Sequence, residues 1–256
     1  MDFGWFSRGD GDLWSNIEES LEIDYYSLME YSVSNYGVNF LDDNPGWSDI
    51  LSFTSNETDF IEDFTGKYFV EWLRRSYHPV GKIYSLSKDD LYLTFNYTNT
   101  LEDSYGIPEK SILHIHGSLN KIKNHFTNQE IREEIQFGCG FDPEYVNDEF
   151  EEMYEDSEYW GASISFGASE IIQACQSVYK DVKGNFLKLK NFISKFNVTQ
   201  IIVMGLSCGV YDLPYLEEIN NKFPNVNWIF YYHTDTDLDK CQEFIKNNGI
   251  INYQLQ

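Results

Sequence analysis

The chain has 256 residues, 42% hydrophobic and 17% aromatic, which argues against disorder and suits one domain with a large core or a pair of small ones. Its 42 Asp and Glu against 18 Lys and Arg give a net charge of −24, with Arg only at 8, 74, 75 and 132. A field of that sign repels a phosphate backbone and argues against direct nucleic-acid binding, while a small anionic ligand stays open because helix N-termini hold phosphate without Lys or Arg.

Residues 1–12 contain Arg-Gly-Asp-Gly-Asp and read as a loop, without the basic-then-apolar order of a signal peptide. Leu13, Ile17 and Leu21 then recur at helical spacing. Residues 34–57, with Asn-Tyr-Gly and Asp-Asp-Asn-Pro-Gly, read as an irregular connection. From Asp59 to Tyr77, the stripe Phe60, Phe64, Tyr68 and Trp72, flanked by Ile61, Phe69 and Leu73, predicts a helix that buries this face and ends at His78-Pro79.

After Asp90 the pattern changes. Residues 91–95 and 112–116 are short apolar runs that stop at polar turns and predict buried strands, with 135–138 a weaker third. Residues 201–204, 228–232 and 250–253 read as further strands, and 168–181, 185–196, 212–223 and 236–248 as helices. Alternating strands and helices over 200–255 point to an α/β fold with a doubly wound parallel sheet. The expected division is a mostly helical portion, 1–84, and a core, 85–256, packed as one compact unit.

Residues 139–179 carry ten carboxylates and no Lys or Arg. The dense part, 142–158, is mixed with Phe141, Tyr145, Phe150, Tyr154 and Trp160, giving an acidic helical insertion near 141–165 that is a solvated flap or a lid. The four cysteines, Cys139, Cys175, Cys208 and Cys241, lie far apart without C-x-x-C spacing and read as reduced thiols of a cytoplasmic protein. No run approaches the ~20 apolar residues of a membrane span, so no membrane partner is expected.

In an open α/β sheet, ligands sit beyond the C-terminal ends of the strands. Three expected strand ends carry polar residues there: Thr94 and Asn96, His114 and His116, Ser207 and Asp212. Asn96 and His116, on separate strands, form the focus of the expected site. His114 and His116 are two apart and would share a strand face, but no motif supplies a third metal ligand from His78, His125, His233 or a carboxylate, so no metal is expected. Gly205-Leu-Ser-Cys-Gly209 has the G-x-S-x-G form of a nucleophile elbow. A serine hydrolase using Ser207 would need Asp212 or Asp235 followed by His233, yet His233 precedes Asp235 and only residues 210–256 remain.

Leu-Thr-Phe-Asn-Tyr-Thr-Asn-Thr-Leu-Glu (93–102), Ile-Leu-His-Ile-His-Gly-Ser-Leu (112–119) and Ile-Val-Met-Gly-Leu-Ser-Cys-Gly-Val-Tyr-Asp-Leu-Pro-Tyr (202–215) resemble the bacteriophage abortive infection AbiH family over roughly residues 85–255. That family is in turn similar to the sirtuin-like, Rossmann-like three-layer NAD-binding fold of anti-phage effectors. The resemblance implies NAD as ligand or substrate and, for an active member, hydrolysis of the nicotinamide–ribose bond. Asn96 would hold the water or ribose, and His116 would act as general base. Ser207 would bond ribose or phosphate, and Asp212 would fix that turn or meet a hydroxyl. Thr94, Phe95, Tyr97, Gly117 and Gly205 would line the ligand. Family members open on an apolar strand followed by Gly-Asn-Gly-Phe-Asp, the turn that receives the diphosphate, and this sequence shows no such element, Gly9-Asp-Gly11 having no strand before it. The expectation is therefore an NAD hydrolase or a degenerate relative of one. A non-catalytic interaction module of a defence system is the alternative from another class. A phage-derived or defence-system protein as trigger and a homo-oligomer are compatible with either.

Overall fold

A computed structural model of the chain describes residues 24–36, 52, 54–56, 58–59, 63–79, 81–119, 135–136, 138, 143–156, 161–206 and 212–256. The expected helix around Leu13–Leu21, Ser207 with Cys208 and Gly209, and Cys139 lie outside them. The described residues form a mixed α/β structure with small parallel sheets.

The first helix, α1, spans Tyr25–Tyr36 and starts where the Asp24 carboxylate accepts the Ser27 N–H at 3.0 Å. It reaches into the stretch expected to be irregular, and residues 54–56 are helical as well. A π-helical turn, Phe64–Tyr68, leads into α2, Phe69–Ser76. The wide turn shifts the phase of the helix, so of the expected face Phe64, Phe69 and Leu73 pack inward, as does Val70, while Tyr68 and Trp72 turn outward, 50% and 47% exposed. Phe60 and Ile61 lie outside the described residues.

The strand β1, Tyr92–Thr94, is followed by a four-residue helix α3, Thr100–Asp103, a 3-10 turn at Glu109–Ser111, and β2, Ile112–His114. The two strands pair in parallel, Tyr92 with Ile112 and Thr94 with His114. Residues 135–136, expected as a third strand, take no regular structure. Instead the Gln136 N–H donates to the His116 carbonyl at 2.9 Å and its own carbonyl accepts the Tyr97 hydroxyl at 3.0 Å, stitching this segment to the end of β2.

Two acidic-to-apolar helices follow, α4 (Pro143–Asp156) and α5 (Gly161–Ser177). Val146 and Phe150 of α4 are buried, and Phe150 meets Tyr25 edge-on with centroids 5.7 Å apart. One hydrophobic core thus joins α1, α2, α4 and α5: Leu28, Met29, Phe69, Leu73, Tyr97, Ile171 and Val178 are among its members. The apolar side of the acidic segment is spent on this packing, and Tyr145 stays 53% exposed.

The C-terminal part alternates regularly: α6 (Val182–Ile193), β3 (Gln200–Met204), α7 (Leu213–Lys222), β4 (Asn227–Tyr231), α8 (Asp235–Asn247) and β5 (Tyr253–Leu255). The strands β3, β4 and β5 are parallel neighbours in that order. The last strand begins later than expected, because Ile250 is used as a buried core residue while Ile251 points outward. Thr234 and Asp237 form a reciprocal capping box that starts α8. Trp228 and Phe230, two apart on one strand face, stack at 5.5 Å, and Phe244 of α8 closes on both rings. This second core also takes Ile115 from the end of β2, with Leu93, Phe95 and Leu113 against it, so both sheets share it. Among the described residues no helix is long and apolar enough to cross a membrane.

Candidate functional site

Parallel pairing of β1 and β2 delivers two chain segments side by side at the carboxyl end of the pair. The Ile115 N–H donates to the Thr94 carbonyl at 3.2 Å, continuing the ladder one step past the strands. Asn96 and His116 follow at equivalent positions, two residues beyond the Thr94–His114 pair. Their surroundings differ. Asn96 is exposed and His116 is only 2% exposed.

The His116 imidazole lies between two rings, with Phe95 at 5.8 Å and Tyr215 edge-on at 5.6 Å. Its Nε2 is 3.5 Å from Asp212 Oδ1, a long contact in which Nε2–H donates to the carboxylate. Asp212 is the residue preceding α7, where an Asp ordinarily caps the helix. Two features keep its carboxylate from that task. Pro214 removes the amide donor of the second helical position, and the Tyr215 N–H donates to the Asp212 main-chain carbonyl at 3.2 Å. The side chain makes no cap bond and faces the imidazole instead.

Tyr215 is fully buried, and its hydroxyl accepts from Asn185 Nδ2 at 3.2 Å. Burial pushes its phenol up to about 12, although the Asn185 bond and the nearby Asp212 pull in opposite directions. The same Asn185 amide also donates to the Gln136 side chain. Hydrogen bonds therefore run from the main-chain carbonyl of His116 to the Gln136 N–H, and from the Gln136 side chain through Asn185 to Tyr215.

Asn96 is fixed through its main chain. Its N–H donates to Thr94 Oγ1 at 3.1 Å, and its carbonyl accepts from His114 Nδ1 at 3.1 Å. His114 Nε2 donates to Glu102 Oε1 at 2.9 Å. The two histidines thus take different partners, His114 on α3 and His116 at the start of α7. Among the described residues no three His, Cys, Asp or Glu side chains gather as a metal site.

The other expected residues fall as follows. Phe95 packs on Tyr215 at 5.7 Å in the sheet core, whereas Tyr97 packs edge-on against Phe69 at 5.5 Å in the helical core. Gly117 turns the chain after His116 with φ 86°, its N–H donating to the His114 carbonyl at 3.2 Å. Gly205 ends β3 with φ 62°. Ser207 lies outside the described residues, and His233 is exposed after β4. Glu102, Asn185, Gln136 and Tyr215 are the neighbours that strand-end reasoning passes over, whereas His114 is itself one of the strand-end residues. Glu102, His114 and Tyr215 lie within quoted motif segments, Gln136 lies within the weak third strand, and Asn185 stands only at the start of an expected helix. An open cleft of about 420 Å³ lined by Gln242, Ile245, Lys246, Gly249, Ile250, Ile251 and Tyr253 sits instead around the start of β5.

No curated protein and no solved structure is similar enough to match the chain. The model of one family does match, over residues 6–232, reaching well upstream of the three motif segments and taking in the helical part. With Asn96, His116, Gly205 and Asp212 all inside that span, the chain belongs to the bacteriophage abortive infection AbiH family.

Proposed function

We propose that this AbiH protein acts in abortive infection as an NAD-handling effector that hydrolyses the nicotinamide–ribose bond, with residues 85–256 as a sirtuin-like, Rossmann-like core and residues 1–84 as its helical companion. The observation that carries the reading is the Asp212–His116 pair, 3.5 Å apart, next to the strand end that bears Asn96. With Asp212 holding one side of the ring, the His116 imidazole serves as the general base that accepts the proton of an attacking water or ribose hydroxyl. The carboxylate holds the tautomer and steadies the imidazolium that forms. Asn96 supplies an amide donor and acceptor for the water or the ribose. Cleavage through an oxocarbenium-like state needs positioning and one base, and no metal. Thr94, Gly117, Gly205 and Ser207 border the ligand in this reading. Phe95 backs the imidazole and Tyr97 anchors the loop. A phage-derived or defence-system protein is the trigger, the setting is cytoplasmic, and a homo-oligomer is compatible with it.

The near-complete burial of His116, at 2%, favours a second reading, a non-catalytic interaction module that keeps the pair as a structural remnant. The two separate on one experiment. Purified protein is incubated with NAD, and nicotinamide release is followed for the natural chain, Asn96→Ala and His116→Ala. The enzymatic reading expects release that falls by about a hundredfold or more in His116→Ala. Absence of release from the natural chain, together with phage protection that survives both substitutions, establishes the interaction module instead. Covalent labelling of Ser207 by a fluorophosphonate would replace both with a serine hydrolase.

A further inference from the structure

We infer that Glu102 and His114 form a clamp whose task is to position Asn96, and that both are positioning residues of the site; the functional half of this inference rests on the NAD reading above. The His114 side chain is 9% exposed and spans two acceptors, the Asn96 carbonyl at 3.1 Å and Glu102 Oε1 at 2.9 Å. The ring thus bridges a main-chain carbonyl and a carboxylate, each an acceptor suited to a ring N–H. Glu102 Oε2 is buried and has no hydrogen-bond partner among the described residues, leaving the carboxylate to lean on the His114 ring.

This is a costly way to satisfy one carbonyl. Asn96 is exposed, and its carbonyl at a strand end could be served by solvent. The chain instead desolvates a carboxylate that is 18% exposed and an imidazole, a step whose penalty is offset only by close hydrogen-bond geometry. The return is a fixed main chain at one residue, since Thr94 Oγ1 takes the N–H of Asn96 while His114 takes its carbonyl. Such outer partners hold a working side chain within the few tenths of an ångström that reactive geometry requires. The element that carries Glu102 is itself secured, with Tyr77 donating to Asp103 Oδ2 at 3.1 Å.

Two amide substitutions take the clamp apart one end at a time. In His114→Asn the side-chain amide nitrogen falls near the place of Nδ1 and keeps the bond to Asn96. In His114→Gln it falls near the place of Nε2 and keeps only the bond to Glu102. Both variants of the full chain, with Glu102→Gln, are compared by hydrogen–deuterium exchange over residues 95–99 and by kcat and KM for nicotinamide release from NAD. His114→Gln is expected to speed exchange of this segment by about tenfold, with His114→Asn close to the natural chain. In the same pair kcat falls by about tenfold in His114→Gln alone, with KM nearly unchanged. Glu102→Gln, whose amide oxygen still accepts from Nε2–H, is expected between the two. Equal exchange in His114→Asn and His114→Gln overturns the clamp, whether or not the protein turns over NAD. If the exchange pattern holds while the natural chain releases no nicotinamide, the clamp stands and the NAD reading falls.

Discussion

Substituting Tyr215 by Phe reads the burial of the site's inner wall through pH. Tyr215 is fully buried, its hydroxyl bonded to Asn185, and burial raises its phenol from 10.0 to about 12. In the unfolded chain the phenol titrates near its ordinary value of about 10. A group raised on folding contributes stability that is intact below the unfolded value and is lost as pH climbs through the folded one. The unfolded chain releases its proton first and is favoured. For a difference of about two pH units, the loss reaches about 2 kcal/mol near pH 11.5. Tyr215→Phe has no such loss, but it forfeits a hydrogen bond worth about 1 kcal/mol at neutral pH. The natural chain is therefore expected to be the more stable near pH 8, and the order to reverse between about pH 10.5 and 11. Urea unfolding followed by tryptophan fluorescence at several pH values measures this. Tyr25, also raised to about 12, is present in both proteins and cancels in the difference. A stability gap that stays constant from pH 9 to 11.5 would refute the buried-phenol argument.

Two smaller predictions test the scaffold. Thr234→Ala removes one half of the capping box on α8 and is expected to cost about 1 kcal/mol, read as a lower urea midpoint with an unchanged slope. Gly138→Ala is expected to cost more, because φ is 144° and an added Cβ would collide with the Val178 main-chain carbonyl at the end of α5; a loss of about 2 kcal/mol or more in thermal or urea unfolding checks it, and a neutral result would show that this close approach is absent.

The regular C-terminal half was legible because its signals are local. Apolar runs such as Ile201–Met204 mark β3, and the expected helix over 236–248 matches α8 closely. The paired strand ends were legible for the same reason: an apolar run that stops at a polar residue has a direction and a terminus. What escaped depended on the third dimension. Tyr68 and Trp72 read as buried but turn outward because one π-helical turn rephased the helix, and nothing in residue type announces such a turn. Gln136 read as a weak strand because Ile135 and Phe137 flank it, yet its hydrogen bonds go to His116 and Tyr97. His114 and His116 read as two side chains on one strand face, but the strand ends at His114, and the rings take separate partners, His114 the nearby Glu102 and His116 the sequence-distant Asp212. Burial of His116 was invisible for a related reason, since it needs Tyr215 from a helix almost a hundred residues downstream, with the rings 5.6 Å apart.

The alternation around Asn96 has a mechanical corollary. Phe95 is rooted in the sheet core on Tyr215, and Tyr97 is rooted in the helical core on Phe69. Asn96 is the single residue between these roots, so at this crossing of the chain the two cores are linked across one residue. A slide of the helical layer over the sheet layer, from whatever contact on the outside of α1 or α4, must either carry Asn96 with it or twist the main chain on both sides of it. The residue that faces solvent at the strand end is thereby the one that registers the alignment of the two cores.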